Sequence, residues 1–128
     1  MLGELIGEFT GKNTVTRVLA DGKIETSNQG MGKILGMDAF IMSTAIVTPL
    51  KGTYMGEVNS LVTTNDGGAV MMKGNAVSWQ SEKGGITRAS SIQTTESDKL
   101  MRLVKVIAVH EYETDELGNW KGKIWEWK

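Results

Sequence analysis

A chain of 128 residues with no cysteine is long enough to bury one hydrophobic core, and it has neither a disulfide framework nor thiolate chemistry. Its net charge of −1, with no cluster of Lys and Arg, excludes a general nucleic-acid binder, which needs a basic surface to displace counterions. No apolar run approaches the ~20 residues of a membrane helix, and Met1-Leu2-Gly3-Glu4 is not the start of a signal peptide, so a single cytoplasmic domain over 1–128, without membrane or nucleic-acid partners, is expected.

In chain order, seven turn signals divide the sequence into eight segments. Asp21-Gly22 comes first, between Arg17-Val18-Leu19 and Lys23-Ile24-Glu25-Thr26. An Asp-Gly pair supplies the positive φ angles of a type I′ hairpin turn. Gly36-Met37-Asp38, Pro49-Leu50-Lys51-Gly52, Asn65-Asp66-Gly67-Gly68, Glu82-Lys83-Gly84-Gly85, Glu96-Ser97-Asp98 and the stretch 115–119 follow. The segments between them have the length and the Val, Ile, Thr and Ser content of strands. Leu100, Leu103, Val104 and Ile107 fall at helical spacing, yet β-branched residues crowd 104–109. This predicts one short helical turn over 98–102 and then a strand over 103–114. The fold class is therefore all-β, an eight-stranded antiparallel meander that closes into a barrel, since closure removes the exposed edges of a long meander. An open sandwich of the same strands is the alternative.

Segments three and seven are apolar on both faces: Phe40, Met42 and Ile46 alternate with Ile41, Ala45 and Val47, and Val104, Val106 and Ala108 alternate with Ile107 and Val109. A barrel wall facing water alternates more cleanly, so a homo-oligomer that covers part of the outer wall is expected. Trp125 and Trp127, on one face with Lys121 and Lys123, are the candidate interface.

The chemistry-bearing residues are few. Gly30-Met31-Gly32-Lys33-Ile34-Leu35-Gly36 fails the dinucleotide pattern, which needs a glycine where Leu35 stands, and these glycines are read as letting the strand bend. His110 is the one histidine; no metal site and no cofactor are expected. By alternation it shares an apolar, interior face with Val106, Ala108 and Tyr112. Glu57, His110 and Glu126 are the catalytic candidates, if an inward carboxylate or imidazole takes part in proton transfer. Tyr54, Glu57, Met72, Arg88 and His110 are the candidate ligand-binding set, with Arg88 available to pair an inward Glu.

Pro49-Leu50-Lys51-Gly52-Thr53-Tyr54-Met55-Gly56-Glu57, Thr64-Asn65-Asp66-Gly67, Leu100-Met101-Arg102-Leu103 before the strand with Glu111, then Asp115, Gly118-Asn119 and Gly122-Lys123-Ile124-Trp125-Glu126 together resemble the allene oxide cyclase-like barrels, including small bacterial and archaeal members. The resemblance spans most of the chain and rests on glycine and turn positions. It implies an eight-stranded barrel that oligomerises, with a trimer favoured, and in some relatives an enclosed apolar substrate that is cyclised. No catalytic residue carries over. Three readings stay open: a barrel that binds a small apolar ligand, an isomerase or cyclase that acts by enclosure with one inward Glu, and a structural module whose barrel is full.

Overall fold

A computed structural model describes residues 1–128. Eight strands, β1 (Leu2–Val18), β2 (Ile24–Ile34), β3 (Met37–Leu50), β4 (Thr53–Thr64), β5 (Ala69–Ser81), β6 (Gly84–Thr95), β7 (Ala108–Thr114) and β8 (Asn119–Trp127), run in sequence order, and a 3-10 helix at Asp98–Lys105 joins β6 to β7. Every strand pairs antiparallel with its sequence neighbours, and β8 returns to β1, so the sheet is a closed barrel without an edge. The sandwich alternative is thereby excluded.

The strand connections fall at the expected turns, and the geometry of some of them differs from expectation. At Asp21-Gly22 only Gly22 has positive φ, and its N–H bonds the Leu19 carbonyl, so this is a type I turn closed by a glycine bulge rather than type I′. Gly67 and Gly118 close two further hairpins in the same way, bonding Thr64 and Asp115. The pair with two positive φ angles is Leu35-Gly36. Gly30 and Gly32 permit close approach: a Cβ on Gly32 would lie 1.9 Å from the Glu8 carbonyl oxygen, and one on Gly30 would lie 2.7 Å from the Trp120 indole.

Alternation assigns the walls. Phe9, Ile34, Ile41, Val62, Val70, Met72, Ala108 and Ile124 point inward and are buried. On the outer wall Arg88, Glu111, Lys123, Glu8, Lys33 and Asp38 face one another in register across β6, β7, β8, β1, β2 and β3, with alternating sign. Opposite charges across a strand pair add about 0.2–1 kcal/mol, and like charges subtract, so the ladder favours this register over its neighbours.

A meander places hairpins β1–β2, β3–β4, β5–β6 and β7–β8 at one end, and both termini and the 3-10 helix at the other. The helix plugs that second end, with Leu100 and Leu103 fully buried. It runs to Lys105 rather than stopping at 102, and β7 begins at Ala108 rather than 103. The physical reason is that Leu100 and Leu103 both insert into the barrel end. A three-residue helical repeat achieves that, while an extended chain places them on opposite faces. The β-branched Val104 and Ile107 lie at the surface.

Candidate functional site

The barrel is packed at the plugged end and hollow at the other. A cavity of about 450 Å³ occupies the open half, bounded by Ile41, Ala45, Val58, Met72, Gly74, Ala76, Ala89, His110, Tyr112, Trp120 and a series of neutral polar side chains. Small residues create it: where the plugged half carries Phe9, Ile34 and Ile124, β5 and β6 contribute Gly74, Ala76, Ser78, Ala89 and Ser91. None of the lining residues is charged. A larger concavity of about 1040 Å³, by the β4–β5 hairpin and the start of the 3-10 helix, is an open surface groove. Of its three carboxylates, Asp66, Glu96 and Asp98, Asp66 is already held by Thr64, Lys99 and the Gly68 N–H, which keep it well below the usual carboxylate range.

His110 organises the cavity wall. Ala89 stands opposite His110 and Ser91 opposite Ala108 in the β6–β7 register, so Ser91 and His110 are diagonal neighbours on the inner face. Ser91 Oγ lies 2.7 Å from His110 Nε2 and 2.5 Å from Gln93 Oε1. The Tyr112 hydroxyl lies 2.8 Å from His110 Nδ1. Gln93 Nε2 donates to the carbonyls of Leu103 (3.1 Å) and Val106 (2.9 Å), which ties the end of the 3-10 helix to β6. Gly122 makes room for this arrangement, since a Cβ there would lie 2.1 Å from the Tyr112 ring. Burial drives the His110 pKa down to about 4 and the Tyr112 pKa up, so both are neutral at pH 7. Ser43 and Ser60 share a second buried hydrogen bond of 2.6 Å on the facing wall. The Trp120 indole N–H has no acceptor; its ring packs edge to face on Tyr112 at 5.7 Å.

Tyr54, Met72 and His110 line this cavity. Glu57 and Arg88 do not: both are exposed on the outer wall, because Val58, Ser60, Ala89 and Ser91 take the inward positions of β4 and β6. No Glu57–Arg88 pair forms; Arg88 stands opposite Glu111, and Glu57 opposite Ile46 and Asn75. Glu126 is buried, but at the plugged end, where Arg102 Nη2 bridges it (3.2 Å) to Glu4 (2.7 Å) and Lys128 lies 3.4 Å away. Burial alone would raise the Glu126 pKa, and the bonds to Arg102 and Lys128 outweigh it and hold it down. A cyclase mechanism that uses an inward Glu in the cavity therefore loses both of its carboxylate candidates. Trp125 and Trp127 lie on the outer face of β8, opposite Leu5 and Leu2. No three His, Cys, Asp or Glu side chains converge.

Ser91, Gln93, Tyr112 and the Ser43–Ser60 pair are the members sequence reasoning missed. Alternation already put Tyr112 beside His110. The serines and Gln93 carry no signal of their own, because the β6–β7 and β3–β4 registers bring them to the site.

The fold defines a single closed eight-stranded barrel with one hollow end. No family model and no curated protein matches the chain. Three solved structures share its architecture across nearly the whole chain. One is a conserved protein of unknown function from Rhodopseudomonas palustris, at 10% identity and TM-score 0.80 over 98% of this chain and 97% of the other. Another is a protein of unknown function from Clostridium acetobutylicum, at 13% and 0.76 over 98% of both. A β-barrel-like protein from Acinetobacter baumannii matches at 14% and 0.78 over 100% and 96%. At such identities the likeness establishes the barrel and leaves function to the site. No helix is long and apolar enough to cross a membrane.

Proposed function

We propose that this protein binds one small, uncharged, partly apolar molecule in the open half of its barrel. The observation that carries this reading is the cavity of about 450 Å³, which has no charged residue in its lining. That volume is within the range of small-molecule sites and holds roughly fifteen water-sized groups at about 30 Å³ each. A charged ligand would meet no counter-ion and would lose its hydration uncompensated. The Ser91–His110 pair does not favour turnover. Ser91 donates its proton to Gln93, so His110 is not placed to take it as a general base would.

Native mass spectrometry of freshly purified protein tests the proposal directly, with co-purified or added neutral ligand expected at one copy per chain. Ala76→Phe, which fills the cavity from β5, is expected to abolish that binding with the barrel still folded. Unchanged binding by this variant would place the ligand elsewhere.

We further propose that the barrel self-associates through two apolar patches on opposite walls. One is Met31, Phe40, Met42, Leu61 and Met71, contiguous in register across β2–β5. The other is Leu2, Leu5, Ile107, Val109, Trp125 and Trp127 around β8, where Trp127 is 57% exposed. A contact between two different patches is heterologous, and it forms a closed ring where the rotation from copy to copy closes and an open filament where it does not. The resemblance to trimeric barrels is consistent with three copies. Sedimentation equilibrium is expected to give an oligomer for the natural chain and a monomer for Met42→Glu and for Trp127→Glu. Equal masses for all three proteins would refute the interface.

A further inference from the structure

The hydrogen bonds on the cavity wall fix the position of every proton in them. Gln93 Nε2 serves two carbonyls, Leu103 O and Val106 O. Its amide is thereby oriented, and Oε1 faces Ser91. An amide oxygen only accepts, so the 2.5 Å contact between Gln93 and Ser91 uses the single Ser91 proton. Ser91 Oγ then has none left for His110, and the 2.7 Å contact requires His110 Nε2–H to donate to it. A neutral imidazole with its proton on Nε2 has a bare lone pair on Nδ1. That lone pair accepts the Tyr112 O–H across 2.8 Å. The chain therefore runs in one direction, Tyr112 to His110 to Ser91 to Gln93, and all its protons are spent inside it. What it has left for the cavity is lone pairs, on Tyr112 Oη and Ser91 Oγ.

We infer that the ligand of this cavity presents a hydrogen-bond donor, a hydroxyl or N–H group, to the Tyr112–His110–Ser91 wall, and so belongs to the class of small neutral alcohols, phenols or amides. This rests on the cavity being a binding site, as proposed above. An ether or ester oxygen against this wall meets lone pairs with no proton between them. A carboxylate meets the same lone pairs and no cation anywhere in the lining. Of the remaining polar groups, Asn28, Ser43, Ser60 and Thr87 can turn to donate or accept, and the unpartnered Trp120 N–H can only donate. They accommodate other polar groups on the same molecule without altering what the directed wall requires.

Two measurements test the inference. The sequence holds one histidine, so the ¹⁵N spectrum of the imidazole in the ligand-free protein reports His110 alone. The Nε2–H tautomer is expected at pH 7, and Nδ1–H would reverse the chain and overturn the inference whatever binds. Calorimetric titration then compares naphthol and decanol with their methyl ethers and with naphthoate and decanoate. The alcohols are expected to bind about fivefold or more tighter than the ethers, the equivalent of one net hydrogen bond, and the carboxylates weakest. Ser91→Ala removes the acceptor that orders the protons, frees Tyr112 to donate, and is expected to bring alcohol and ether within about twofold of each other. Ethers that match or exceed the alcohols in the natural protein overturn the inference and leave the binding site standing. Failure of all six probes overturns the binding site as well.

Discussion

Leu103→Ala is expected to lower the unfolding free energy by about 2–5 kcal/mol, the range for truncating a fully buried leucine. Leu103 is fully buried beside Leu100 in the 3-10 helix that closes one end of the barrel. Its backbone carbonyl is one of the two held by Gln93. The truncation leaves a void in the buried cluster that Leu103 shares with Ile34, Val62, Val70 and Ile124, and a short helix with two buried anchors has no spare contact to compensate. At roughly 4 °C per kcal/mol for a domain of this size, the midpoint of thermal unfolding should drop by about 10 °C or more. Urea denaturation followed by tryptophan fluorescence gives the free energy independently. A loss below about 1 kcal/mol would mean that the helix does not carry the closed end. Leu117→Ala, in an exposed turn, is the control and should change stability by less than about 0.5 kcal/mol.

The stability of the natural protein is expected to fall as pH drops from about 6.5 to about 4, the interval between the ordinary His110 pKa and its value in the fold. Burial disfavours the imidazolium, so the unfolded chain takes up a proton in this window and the folded chain does not. The sign follows: above the window both states are neutral and nothing is lost, and within it each pH unit removes up to about 1.4 kcal/mol. The full window amounts to roughly 3 kcal/mol, one of the largest single effects expected for this chain. The carboxylates act lower. Asp66, Asp115 and Glu126 are all held below their usual values, so their contributions start to be lost as pH falls through the ordinary carboxylate range of about 4 to 4.5 and go on falling below it. His110→Gln, which keeps a side-chain N–H for Ser91, is expected to flatten the profile between pH 6.5 and 5. A natural protein with no slope in that interval would show that the imidazole is hydrated in the folded state.

The sequence determined how many strands there are and where the chain turns, and it favoured a closed meander over an open sandwich of the same strands. Glycine at 22, 36, 52, 67 and 118 adopts positive φ at the hairpin turns, a conformation other residues avoid, and that requirement is local. Alternation is also local, and it was enough to set His110 and Tyr112 on one face. Tertiary structure decided the rest. In β4 and β6 both faces mix polar and apolar residues, so period two leaves open which face is inside. Only closure of the barrel put Val58 and Ala89 inside and Glu57 and Arg88 outside. The diagonal meeting of Ser91 with His110 depends on pairing between two strands separated by the 3-10 helix. The extent of that helix depends in turn on the barrel end into which Leu100 and Leu103 pack. The sequence thus specified an eight-stranded meander, the pairing of β8 with β1 closed it, and the packing of its two halves decided that one end is filled and the other is hollow, neutral and lined by a hydrogen-bond chain of fixed direction.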